Sequence, residues 1–201
     1  MLDVLHPIPH LPAVFRILIV LAMLPIIVAF IARWWFGMRI LSSSTKRQCK
    51  CDLEKWNNAF GDENLPIDKE SDATSYARLL RKSALEDWKT REPKAAASRE
   101  GARRFGMAVP PLAAMIAILG LIVGRIPFTG VLAIFLLAIA FAVIVTYLSI
   151  APELNAILTT ARRLRNAGVF YRRDDEDAVI QATTALTWKE SAPPIFNLIQ
   201  R

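Results

Sequence analysis

Apolar residues are concentrated in two blocks of this chain and thin out elsewhere to a scatter with helical spacing. The longer block runs from Met107 to Ala151 and is broken once, at Gly124-Arg125-Ile126-Pro127-Phe128-Thr129-Gly130. Each half is long enough to cross a hydrocarbon core of about 30 Å, which takes roughly 20 apolar residues at about 1.5 Å rise per residue. Neither half has a polar stripe to show to water, so the block predicts a transmembrane helical hairpin rather than two core helices. The other block, Ala13 to Ala32, predicts a first spanning helix, kinked at Pro25 in a way that membrane helices tolerate. Its basic residues, Arg33 and Arg39, follow the apolar stretch, the reverse of a secretory signal, so it reads as a retained anchor. Arg16, close to the outer boundary, is expected to snorkel.

Outside the blocks the spacing predicts short amphipathic helices. Ser71 or Asp72 is placed to cap a helix from Ala73 to about Thr90, with Tyr76, Leu79, Leu80, Leu85 and Trp88 toward one face. Asp52 to Phe60 predicts a second, shorter helix. Lys94 to Arg104 reads as a helical lead-in to the second span, its charges as flanking anchors. Ser42-Ser43-Ser44 reads as a flexible exit from the first. After the third span, Pro152-Glu153 fits a first helical turn, with an acid at the positive end of the dipole. Leu154, Leu158, Ala161 and Leu164 form one face of that helix, Arg162, Arg163 and Arg165 the other, and Gly168 is placed to cap it. Asp174 or Asp175 starts a last helix through about Trp188 or Glu190, packing through Val179, Ala182, Ala185 or Leu186 and Trp188, and Pro193-Pro194 ends it. The predicted fold is all-α: three transmembrane helices, an N-terminal anchor plus a helical hairpin, with short cytoplasmic helices. Its parts are an N-terminal segment and first span (1–40), a cytoplasmic helical segment (41–106), the hairpin (107–151) and cytoplasmic C-terminal helices (152–201).

Charge sets the orientation. The chain carries 25 Lys and Arg against 18 Asp and Glu. One basic residue precedes the first span (Arg16), sixteen lie from Arg33 to Arg104, one is in the hairpin turn (Arg125) and seven follow from Arg162. The positive-inside rule then places the N-terminus outside and the C-terminus in the cytoplasm, as expected for a bacterial inner-membrane protein. Trp34, Trp35, Arg33, Arg39, Arg103, Arg104 and Phe128 are the expected membrane-interface residues. Lipid headgroups are the simpler partner for so basic a chain, and interleaved acids such as Asp62, Glu63, Asp68, Glu70 and Asp72 argue against nucleic acid. The only cysteines, Cys49 and Cys51, sit too close in sequence to close a bridge easily and are expected as reduced thiols, short of the four ligands of a closed metal site.

Little in the chain looks catalytic. Spans two and three hold only Thr146 and Ser149 as polar interior side chains, no phosphate-binding glycine loop is present, and Ser42-Ser43-Ser44 lacks a nucleophile-elbow context. Glu153-Leu154-Asn155-Ala156 directly after the hairpin, Gly168, Ala182 and Ala185-Leu186-Thr187-Trp188 together resemble the C-terminal part of the membrane-embedded neutral zinc metallopeptidases, the YugP-like family. The resemblance covers roughly Arg99 to Trp188. It implies a zinc centre built on H-E-x-x-H, with Glu153 at the position of an acidic residue that serves as a candidate third ligand. Here the only histidines, His6 and His10, lie before the first span, among Pro7, Pro9 and Pro12, across the membrane from Glu153. The resemblance therefore implies a degenerate relative that kept the scaffold and lost the protease; Glu153 is then a first-turn acid or a salt-bridge partner, with no catalytic residue, metal or cofactor.

The expectation is a non-catalytic accessory or assembly subunit of a larger membrane complex. Small residues at Ala113, Ala114, Ala117 and Gly120, and at Ala133, Ala138, Ala140 and Ala142, allow close helix approach in lipid. The central segment has too few apolar anchors to bury its own aromatics, so Trp56, Trp88 and Trp188 are expected to bind a partner. The alternatives are a membrane zinc metallopeptidase with an unconventional site, or a basic membrane-surface tether.

Overall fold

In a computed structural model of the chain, residues 13–61, 69–124 and 126–191 are described, with side chains from Ile17 onward. Expectations placed on His6, His10, Arg16, Asp62, Glu63, Asp68, Arg125 and Pro193-Pro194 lie outside those side chains. The fold is all-α, and three of its helices are long and apolar enough to cross a membrane, which makes this a multi-pass membrane protein.

The first spanning helix is longer than its apolar block. α1 (Ala13–Ala32) stays helical through Pro25 and runs on through a π-helical turn (Arg33–Met38) into α2 (Arg39–Ser44). The three serines extend this helix instead of loosening it. The Ser42 hydroxyl donates to the Arg39 carbonyl at 2.8 Å, and those of Ser43 and Ser44 donate to the Ile40 carbonyl at 2.7 and 2.8 Å. Such back-bonding satisfies the hydroxyls inside the helix, so no turn competes with it. α5 (Pro93–Ile122) begins with proline in its first turn, where the missing N–H costs nothing, and carries the Lys94–Arg104 lead-in and the second span as one rod. A turn at Gly124 and Pro127 leads into α6 (Phe128–Leu148).

α6 is the middle of the bundle, packing on α5 along one side and on α1 along the other. Ala117, Ala133, Ala140 and Ala142 are all buried, and a Cβ on Gly106 would sit 2.7 Å from the Thr146 Oγ1. Of the small residues expected to allow close helix approach in lipid, these four alanines lie where this chain's own spans approach one another.

All remaining elements gather at one end of the bundle. α3 (Leu53–Phe60) is capped by the Asp52 carboxylate, and α4 (Ala73–Arg91) by that of Asp72, which accepts from the Ser75 N–H at 3.2 Å. A short antiparallel pair, β1 (Gln48–Lys50) and β2 (Glu70–Asp72), was not anticipated; it pairs Cys49 with Ser71. α7 (Ile150–Ala167) follows α6 almost directly, and α8 (Arg173–Ser191) returns toward the bundle. Gly168 closes α7 in the left-handed conformation at φ 58° with open space around it. Gly168→Ala should therefore cost about 1 kcal/mol from backbone strain alone, read as a lowered thermal midpoint with an unchanged helical spectrum.

These elements build one core from two distant segments. Cys49, Trp56, Tyr76 and Leu80 from before the hairpin pack with Leu164, Val169, Phe170 and Val179 from after it. Trp56 is 1% exposed, with its ring 5.0 Å from Phe60, 6.1 Å from Tyr76 and 6.4 Å from Phe170. Trp88 is 4% exposed and donates its indole N–H to Glu92 at 3.3 Å. Trp188 is half-buried between Phe36 and Tyr147, at 5.4 and 5.7 Å. Of the three tryptophans expected to bind a partner, Trp56 and Trp88 are thus covered by this chain itself and Trp188 in part; for Trp56 the C-terminal helices supply the missing half of the core.

Candidate functional site

The strongest concentration of buried charge lies where this polar unit meets the bundle. Glu153 sits in the first turn of α7, directly beyond the third span, and is 3% exposed. Arg99 comes from the second turn of α5, before the apolar part begins, and Arg81 from α4, one residue past the buried Leu80. One carboxylate oxygen of Glu153 accepts from Arg81 Nη2 at 2.7 Å and Arg81 Nε at 3.2 Å. The other accepts from Arg99 Nε at 2.9 Å.

Both arginines are satisfied further out. Arg99 Nη1 donates to the Thr146 carbonyl at 3.0 Å and to Ser149 Oγ at 2.8 Å, and its Nη2 donates to Ser191 Oγ at 2.6 Å. Arg81 also pairs with Glu190. Burial pulls the Arg81 pKa down, but Glu153 and then Glu190 more than reverse this and hold it above the usual guanidinium range. Two cations and two carboxylates therefore balance at the junction, and Arg99 ties α5, α6, α7 and α8 together through one side chain.

Zinc, which the metallopeptidase resemblance implies, does not fit this arrangement. Both Glu153 oxygens are engaged by guanidinium groups, whose positive charge opposes a dication. Among the described residues no group of three or more His, Cys, Asp or Glu side chains comes together in a way that could hold a metal.

Beside the network a cleft of about 360 Å³ opens between α4 and α5. Five basic side chains (Arg81, Lys89, Arg99, Arg103 and Arg104) and three acidic ones (Glu100, Glu153 and Glu190) line it, leaving an excess of two positive charges. Glu100 is taken up by Arg104 at 3.1 Å.

The two thiols are structural in their surroundings. Cys49 and Cys51 are both free and buried in the aromatic core, and burial raises their pKa values to about 11 and about 12. An unfolded thiol titrates near 8.5, so the folded chain binds the proton more tightly. The resulting stabilisation is complete below about pH 8.5 and is lost as pH rises through about 11 to 12. Iodoacetamide at pH 8 should leave both cysteines unlabelled in the folded protein and label both after denaturation, as read by peptide mass spectrometry.

The residues expected at the membrane boundary divide. Trp34 and Trp35 are about half exposed, the Arg39 guanidinium lies 4.8 Å from the Trp35 ring centre, and Phe128, Arg103 and Arg104 are exposed. Arg33 differs, being 2% exposed. Its position in the π-helical turn is covered by α8, which comes so close that a Cβ on Gly37 would stand 3.3 Å from the Lys189 nitrogen. Arg33 is thus a core residue rather than an interfacial anchor.

Of the charged members of the network, only Glu153 stood out in the sequence. Thr146 and Ser149 stood out only as the polar side chains of the spans, and Arg81, Arg99, Glu190 and Ser191 did not, since each belongs to a stretch whose composition is ordinary. The one available sign was an arginine facing inward beside small residues on α5. Comparison of the chain with family models, with curated proteins and with solved structures finds no match.

Proposed function

We propose that this protein is a non-catalytic integral membrane accessory subunit, which holds a folded polar unit in a fixed position at one face of the membrane. The observation that carries the reading is the Glu153 carboxylate, with both oxygens occupied by Arg81 and Arg99. A carboxylate clamped in this way is poorly placed to bind a metal or to take a proton from water, and it serves instead as the pin between helices. On this reading the match at Glu153-Leu154-Asn155-Ala156 marks a metallopeptidase-like scaffold whose acid has been reassigned to structure. The positive-inside distribution supports placing the polar unit in the cytoplasm of a bacterial cell, with the N-terminus outside.

With Trp56 and Trp88 buried, the surface we assign to other subunits is the apolar face of the spans. Val20, Leu24, Val28 and Ile31 on α1 and Leu112, Ile116 and Leu119 on α5 remain exposed, and either lipid or another helix covers them. Purified protein should contain no stoichiometric zinc and should show no chelator-sensitive cleavage of casein; the opposite result would establish the metallopeptidase alternative. In mild detergent the protein should run as a stoichiometric complex with a second membrane protein. A monodisperse single chain would remove the subunit part of the proposal.

A further inference from the structure

We infer that the cleft between α4 and α5 is a binding site for the phosphate headgroup of an anionic phospholipid, drawn from the leaflet on the side of the polar unit. Its charge is complementary to such a group. The three acids lining it are each engaged by arginine, Glu153 by Arg81 and Arg99, Glu190 by Arg81, and Glu100 by Arg104. Lys89 and Arg103 line the same cleft without a carboxylate partner among the described residues. Two unneutralised cations lining one cavity, one on α4 and one on α5, form a receptor for a compact anion.

Position decides which anion. Arg103 lies one helical turn, about 6 Å, from Met107 on the same face of α5, and Met107 is where the apolar surface of this helix begins. Met107, Ile118 and Leu121, which continue that face at helical spacing, are exposed. A phosphate seated between Lys89 and Arg103 therefore has hydrocarbon-covered helix directly below it, where the acyl chains of the same molecule run. A soluble phosphate would use the cations and leave that continuity unused. The cleft is also lined by Leu85 and Trp88, which give the glycerol region an apolar wall.

The test uses the purified, delipidated full-length protein in dodecyl maltoside, titrated with dioleoylphosphatidylglycerol or dioleoylphosphatidylcholine and read by native mass spectrometry. The intact protein should retain phosphatidylglycerol about tenfold more strongly than phosphatidylcholine, since each basic side chain at the surface favours the anionic lipid. In the double variant Lys89→Gln, Arg103→Gln the preference should vanish. Both positions are exposed and without an ion pair among the described residues, and an unchanged helical spectrum confirms folding. Arg172→Gln, Arg173→Gln removes the same charge at the far end of α8 and should keep the preference. Equal retention of both lipids by the intact protein, equal loss in the two double variants, or displacement of the lipid by millimolar inorganic phosphate would each overturn the assignment. The result is independent of whether the protein is an accessory subunit or a peptidase.

Discussion

Glu153→Ala will lower the stability of the protein by about 3–5 kcal/mol, the usual loss when one member of a buried ion network is removed. The cost comes from what stays behind. Arg99, whose side chain is 10% exposed, would keep its charge without the carboxylate that compensates it, and Arg81, 13% exposed, would be left with the more exposed Glu190 alone. For a domain of this size the loss corresponds to a fall of about 10 °C in the unfolding midpoint, measured by tryptophan fluorescence in detergent. Glu153→Gln retains the shape and one acceptor oxygen and should fall between the two. If Glu153→Ala expresses too poorly to measure, the glutamine variant carries the test. An alanine or glutamine protein as stable as the original would mean that Glu153 is not the pin described here, and the site would again be open to a catalytic reading.

Trp56→Ala is expected to cost a similar amount, about 3–5 kcal/mol, because it empties the largest side chain of the core and leaves a cavity that Phe60, Tyr76 and Phe170 cannot close. Denaturant titration should show a lower midpoint. Had this tryptophan been kept bare for another protein, its loss would leave the isolated chain unaffected and weaken only the complex. The two outcomes are distinguished in the purified protein alone.

Those two sites also show where sequence reasoning reached and where it stopped. The spans were legible because lipid imposes a local rule, an unbroken apolar length, that one stretch of sequence can satisfy by itself. Helix ends were legible for the same reason: Asp52, Asp72 and Gly168 act on backbone groups a few residues away. Burial of Trp56 was not, since its packing partners Leu164, Phe170 and Val179 lie on the far side of the hairpin. Arg99 looked like an ordinary flanking charge because nothing near it in sequence points to Glu153, 54 residues on. Strands of three residues, as in β1 and β2, carry too little alternation to stand out, and Arg33 was misplaced because the cover supplied by α8 lies at the other end of the chain.

The split construction of the core has a consequence for how the protein is made. Residues 41–106 leave the ribosome with Trp56 and Tyr76 uncovered, and Leu164, Phe170 and Val179 are synthesised only after the hairpin. Completion of the aqueous half is thereby made conditional on membrane insertion, since α7 and α8 can reach their seat only when α5 and α6 lie side by side in lipid. A molecule whose hairpin stalls keeps an aromatic surface on display, the kind that chaperones and proteases engage, so the topology provides its own checkpoint on biogenesis.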